Sequence, residues 1–389
     1  MRVVACEHVS SSIGCEEYSM GGPVQAEGQP RRTLPGKKIL MQYFFVALLV
    51  FTPITVAGSI FGLSPNILFF LSALAIVPLA KFIGEATEEL SARSGPASGG
   101  LLTATFGNAT ELLIGLFAIR EGLIEVVKAS LTGSIVGNLL LVLGTAIFTG
   151  GTRYKTQRFN RTAALANAST LLLAVIAITI PAIFFQTAPS ASRNATTESL
   201  SLLVSLLMIT TYLASVWFTI RTHPYLYSDE IQHYQAKWTV KKSITILSLA
   251  TLAAAWMSAI LVRSIEPVAL GLGWTQLFIG VVVVAVVGNA AEHTSAILMA
   301  AKDKMDLALQ ISIGSATQIA MFAAPVLVLA SVLFSHPMSL VFDTFELVAI
   351  ILSVLIVNLI VGDGESNWFE GLQLLVAYAI IAVAFFLHA

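Results

Sequence analysis

The chain has 389 residues, of which 56% are hydrophobic and only 11% charged, with a formal net charge of −1 and a mean hydropathy of +0.85. A soluble domain carries about 25% charged residues, so this chain lacks the polar surface to cover itself in water. Apolar runs of about 20 residues recur along it, each long enough to cross a bilayer as a helix and too continuous for the alternating strands of a barrel.

In chain order, residues 1–36 are polar and rich in Gly, Ser and Glu, and read as a disordered tail. Both cysteines, Cys6 and Cys15, fall there, so no disulfide framework is indicated. The apolar run after Lys38 lacks a small-residue cleavage pattern and reads as a retained first span. The expected spans are 39–58, 65–90, 97–119, 124–149, 161–185, 198–220, 241–264, 273–301, 305–334, 340–361 and 367–388. The longest connection, from Arg221 to Lys242, contains His223, Asp229, Glu230 and His233 but no extended acidic block. With a cytoplasmic N-terminus, most lysines and arginines fall on the cytoplasmic face. Only Arg120, Lys128, Arg193 and Arg263 fall on the other, with Lys81 inside a span. That bias follows the positive-inside rule.

Two strings inside the spans nearly match: Gly107-Asn108-Ala109-Thr110-Glu111 and Gly288-Asn289-Ala290-Ala291-Glu292. A carboxylate at membrane depth is costly and marks a functional site by default. The match continues without gaps at an offset of 181 residues: Glu125 aligns with Asp306, Gly133 with Gly314 and Ser134 with Ser315. The two glutamates lie five spans apart, so the copies cross the membrane in opposite directions, as in inverted-repeat transporters. The expected fold is therefore all-α and polytopic: about eleven transmembrane helices, in two inverted five-helix repeats plus one extra N-terminal helix. Its expected divisions are a cytoplasmic tail (1–36), the extra helix (37–62), a first repeat (63–222), a cytoplasmic loop (223–240) and a second repeat (241–389).

Residues three apart on a helix share a face, which groups Asn108 with Glu111 and Asn289 with Glu292. Ser134, Asn138, Ser315 and Gln318 follow on the next spans. Carboxylate, amide and hydroxyl oxygens are hard donors that suit Ca²⁺, with Mn²⁺ as a second candidate; Zn²⁺ or Cu⁺ would call for His and Cys. Without a cation, two carboxylates in a low-dielectric cavity repel each other and are poorly solvated, which favours protons; a bound divalent cation expels them. His293, beside Glu292, is a candidate proton tuner that points off the glutamate's face.

Plainer readings stand beside these. One Gly-Asn-Ala string alone fits small-residue helix packing. Glu85, Glu88 and Glu89 fit a solvated helix end, and Asp303 and Asp306 with Lys302 and Lys304 fit a solvated loop. Ser134 and Ser315 fit hydroxyls bonded back to their own helix.

Together the paired strings resemble the cation/proton exchanger branch of the calcium/cation antiporter superfamily. The flanking Gly133-Ser134-Ile135-Val136-Gly137-Asn138, Gly314-Ser315-Ala316-Thr317-Gln318 and Gly84-Glu85-Ala86-Thr87-Glu88 fit as well. The resemblance implies that Glu111 and Glu292 bind Ca²⁺ and exchange it for protons, with Asn108, Asn289, Ser134 and Ser315 completing the site. It implies that Glu85, Glu88 and Glu266 guide cations at cavity mouths. Such a protein is a carrier rather than an enzyme, needs no cofactor, and has Ca²⁺, H⁺ and the lipid bilayer as partners. Nucleic acid is not expected, and a homo-oligomer is compatible with the reading. The Gly-Thr-Ser and Pro-Glu or Pro-Asp strings typical of the sodium/calcium branch are absent, which favours protons as counter-ion. The lack of an acidic block between spans six and seven favours a bacterial plasma membrane over a vacuolar one. A passive cation channel and a sodium-coupled exchanger are the alternatives. An intramembrane hydrolase has no supporting His-Glu-x-x-His string.

Overall fold

The computed structural model describes residues 43–94, 99, 102–103, 105–190, 193–223 and 236–387. The N-terminal tail with its cysteines, and most of the connection after Arg221, lie outside the described residues. Among the described residues twelve helices carry the fold, and residues 99, 102–103 and 105–106 ahead of the third are helical as well. The twelve are α1 (Tyr43–Ile60), α2 (Pro65–Ser94), α3 (Ala109–Arg120), α4 (Ile124–Gly151), α5 (Arg161–Thr187), α6 (Arg193–Thr222), α7 (Val240–Leu272), α8 (Gln276–Gly288), α9 (Ala290–Ala300), α10 (Met305–Ser331), α11 (Thr344–Ile360) and α12 (Trp368–Leu387). Among the described residues eight of these are long and apolar enough to cross a membrane, and nine if α8 and α9 count as one span bent by 61°. Two further expected spans are shorter: α11 has 17 residues and α3 has 12.

Local sequence sets the helix ends. The Asn160 side chain accepts from the Ala163 amide at the start of α5, and Thr239 does the same for Lys242 at the start of α7. Asp343 and Glu346 form a reciprocal capping box on α11. Gly273, at φ 67°, ends α7 in the left-handed conformation that a side chain would oppose. Leu203, Leu206 and Leu207 on α6, and Val376, Ile380 and Val383 on α12, stand exposed, as lipid-facing stripes do.

Packing interlocks the two halves of the chain. The long helices α2 and α7 lie against each other. Helix α3 packs on α7 and α10, while α9 packs on α2 and α4; α12 lies on α4, and α6 on α10. Helices α3 and α9 begin 181 residues apart, and so do α4 and α10. Both α4 and α10 widen into a π turn at nearly matching places, Gly137–Val142 and Ile319–Ala323. Helix α4 presses against α8, where a Cβ on Gly133 would collide with the Val281 carbonyl oxygen.

The connections fasten the ends of the bundle. A two-stranded antiparallel ladder joins β1 (Gln157–Arg158) to β2 (Glu365–Ser366). Gln157 is buried and donates from Nε2 to the Ala300 carbonyl and to Asp303 Oδ1, both at 2.9 Å. Arg153 donates to the Ala301 carbonyl at 3.1 Å, and the Asn160 amide donates to Asp306. Asp303 and Asp306, expected as a solvated loop, thus hold the α9–α10 turn to the α4–α5 connection. Asp303 is exposed, as a solvated loop should be, whereas Glu89 is buried: it accepts from the Trp238 amide at 2.9 Å and ties α2 to the start of α7.

Candidate cation and proton site

Both matching strings sit where a helix is broken. Asn108 (φ −107°, ψ 24°) and Asn289 (φ −93°, ψ 12°) leave helical geometry, and α3 and α9 start on the next residue. The expected grouping of Asn108 with Glu111 on one regular helix face is therefore replaced by a kink, with the asparagine before the helix and the glutamate in its first turn. Asn289 and Glu292 repeat the arrangement. Helix N-termini carry unpaired N–H groups and a partial positive charge, which favour an anionic side chain there.

Asparagine is a common N-cap, yet neither side chain caps its own helix. They reach across the molecule instead. Asn108 Nδ2 donates to Gln318 Oε1 at 2.7 Å. Asn289 Nδ2 donates to Ser134 Oγ at 2.9 Å and to the Ala285 carbonyl at 2.8 Å. Asn138 Nδ2 donates to Asn289 Oδ1 and to Ser315 Oγ, both at 3.0 Å. Six of the expected polar residues thus belong to two bonded groups that join α4 and α10 to the helix breaks. Ser134 and Ser315 accept from other helices, not from their own.

Glu111 is 6% exposed, and a Cβ on Gly288 would lie only 3.1 Å from its Oε1. The glycine of one string therefore covers the glutamate of the other. Among the described residues, Glu111 Oε2, Glu292 Oε2 and Asn138 Oδ1 are buried oxygens without a hydrogen-bond partner. Buried polar atoms are nearly always satisfied, so each such oxygen needs an explanation. No three His, Cys, Asp or Glu side chains gather among the described residues. A cation held here would draw most of its shell from neutral oxygens, which suits a hard ion.

A cavity of about 890 Å³ leads to the site. Gly107, Thr110, Gly288, Glu292, Ser315 and Gln318 form its inner end, and Arg153 and Lys302 its far rim. Glu85 and Glu88 line it from α2, with Lys81 pairing to Glu85 at 3.3 Å and lying over the Phe45 ring. Glu266 does not line it; this residue stands exposed on α7. His293 is also absent from the lining, in keeping with its position off the Glu292 face. Asn167 and Gln310, which no sequence string singled out, are on the wall. So is Thr219 of α6; the signal for such residues is a polar position within an apolar run.

An apolar helical bundle with carboxylates and amides gathered at two helix breaks, reached through a polar cavity, defines a membrane cation carrier. The family model described as "Sodium/calcium exchanger protein" matches residues 64–221 and again 242–387. The chain is 46% identical to a Ca²⁺/H⁺ antiporter of Synechocystis, with 88% of this chain and 97% of that relative covered. It is likewise 46% identical to the Ca²⁺/H⁺ antiporter ChaA of Bacillus subtilis, covering 88% and 99%. The solved structure of native YfkE superposes with a TM-score of 0.78 at 45% identity, over 88% of this chain and 99% of that one. The chain belongs to the sodium/calcium exchanger family, in its cation/proton exchanger branch.

Proposed function

We propose that this protein is a Ca²⁺/H⁺ antiporter that works by alternating access at one site shared by Glu111 and Glu292. The observation that carries the reading is the pair of helix breaks, with two buried, unpartnered carboxylate oxygens set among amide and hydroxyl oxygens. Ca²⁺ takes roughly 6–8 oxygens with tolerant geometry. Asn108, Asn289, Ser134 and Ser315 are the neutral residues assigned to complete that shell, with Asn138 and Gln318 holding them in place. Mn²⁺ is a second cargo that the same donors accept. Protons neutralise the two carboxylates when the cation leaves. The site therefore cycles between a cation-loaded and a proton-loaded state, and no covalent step is involved.

The structural repeat is part of the proposal. Residues 63–222 and 241–389 act as two inverted five-helix halves, with 37–62 as an extra helix, 223–240 as the connection and 1–36 as the tail. Matching helix starts, the matching π turns and the two family-model segments support this division. The positive-inside bias supports a cytoplasmic N-terminus. In that orientation the rim formed by Arg153 and Lys302 is cytoplasmic, and the cavity opens inward past Glu85 and Glu88. Glu266 takes the same guiding part on the opposite face when the carrier opens outward. The Synechocystis and Bacillus relatives favour a bacterial plasma membrane.

The test is ⁴⁵Ca uptake into inverted membrane vesicles. An imposed proton gradient drives uptake by the wild type, and Glu111→Gln or Glu292→Gln abolishes it. Normal transport by either variant would overturn the shared site.

A further inference from the structure

Glu292 lines the cavity, but Glu111 does not. A polar stripe on one wall of the cavity leads from a second entrance toward Glu111. On α10, Asp306, Gln310, Gly314 and Gln318 recur every fourth residue and so form one stripe along the helix. The stripe starts in the first turn of α10 and ends at Gln318, whose Oε1 accepts from Asn108, three residues before Glu111. Beside its start lies a crevice of about 10 Å³ between α5 and α10, whose polar lining is Asn160, Asn167, Asp306 and Gln310. That volume holds about one water, and the four side chains supply the partners a water requires. Asn167 and Gln310 also line the large cavity, so the crevice meets it there, and Gly314 and Gln318 continue the stripe along the cavity wall.

The other half of the chain has no such stripe. At the offset of 181 residues the counterparts of Gln310, Gly314 and Gln318 are Ala129, Gly133 and Gly137. The counterpart of Asp306 is Glu125, which pairs with Lys128 at 3.2 Å. The repeat does not require the stripe, so the stripe needs its own explanation.

We propose that Asp306 and the one-water crevice beside it form a proton entrance that joins the cavity at Asn167 and Gln310, apart from the mouth where Ca²⁺ passes Glu85 and Glu88, and that water ordered along the Gln310–Gly314–Gln318 wall carries the proton on to the site. The inference rests on the antiport reading. A proton from cytoplasmic water binds the Asp306 carboxylate and passes to water held by Asn167 and Gln310. It ends on Glu111 as Ca²⁺ leaves, and the amides orient the waters without themselves changing protonation. A hydrated divalent cation does not fit a space of about one water. The charged groups around Asp306 are Lys302, Asp303 and Lys304 on its own turn, and Arg158 and Arg161 on the connection that supplies Asn160. Arg158 is paired with Glu365 at 2.9 Å.

The test uses the full chain in proteoliposomes, with two fluxes measured on each preparation: ⁴⁵Ca uptake driven by a pH gradient, and ⁴⁵Ca–Ca²⁺ exchange at equal pH on both sides. Asp306→Asn keeps an acceptor for the Asn160 amide. In this variant and in Gln310→Ala, driven uptake falls about ten-fold, because the first removes the carboxylate that carries the proton and the second the amide that orients its water, while Ca²⁺–Ca²⁺ exchange keeps its wild-type rate. Asp306→Glu restores driven uptake. The path is overturned if both fluxes fall together in these variants or if neither falls. Failure of the antiport reading is a different result: the wild type itself shows no gradient-driven uptake.

Discussion

Among individual residues, the consequential contacts connect the two motif strings. Gly288 leaves little room for a side chain, because a Cβ there would press on the Glu111 carboxylate at 3.1 Å. Gly288→Ala should displace that carboxylate and lower Ca²⁺ affinity on the order of ten-fold, since a small misplacement at a reacting centre is costly; ⁴⁵Ca binding to purified protein measures it. Asn138 touches both Asn289 and Ser315 through one amide nitrogen. Asn138→Leu should leave two buried partners unsatisfied and weaken both binding and stability. The glutamates and asparagines were legible in the sequence because polar residues stand out in apolar runs. The pairing of Asn108 with Gln318 was not, because more than 200 positions separate them and nothing local encodes the contact. Glu89 shows the converse. Beside Glu85 and Glu88 it reads as one more acidic residue at a helix end, yet tertiary packing buries it against the Trp238 amide.

Among the elements, helix breaks and close helix contacts matter most. The apolar runs fixed where helices lie: ten of the eleven expected spans correspond to helices or to the bent α8–α9 pair, with ends that agree within five residues except that α7 runs eight residues past 264. In 97–119 the described residues 99, 102–103 and 105–106 are helical, and Gly107 and Asn108 interrupt the helix before α3 starts at Ala109. Glycine was legible as a weak point; the 61° bend before α9 was not, because the asparagine at that kink bonds to distant side chains on α4, Asn138 donating to it and Ser134 accepting from it. The α4–α8 contact at Gly133 leaves no room for a methyl group. Gly133→Ala should cost about 1–3 kcal/mol of stability through overpacking, read as a lower melting temperature in detergent, whereas Ala at Gly137, which has open space around its Cβ position, should cost less than that.

For the whole molecule, the two halves are interlocked rather than laid side by side. Each broken helix packs on helices of the other half: α3 on α7 and α10, α9 on α2 and α4. Coupling between the halves is thus built into the packing around the site. Ties between connections are also on matching faces: Arg153 with Ala301, Arg93 with Ala236, and Arg263 with Glu121. Each pair joins connections that the expected topology assigns to one side of the membrane. Because Ca²⁺ requires ionised carboxylates, its apparent affinity should rise with pH and its binding should expel protons.

Proton release therefore tests the shared site most directly. Calorimetry of Ca²⁺ binding to purified protein, repeated in buffers of different ionisation enthalpy, counts the protons released per ion. The wild type should release about one to two protons per Ca²⁺, because both carboxylates must ionise to bind it, and the paired Glu111→Gln, Glu292→Gln variant should neither bind Ca²⁺ nor release protons. Tight Ca²⁺ binding by the wild type with no proton release at any pH would contradict one site that holds either protons or the cation.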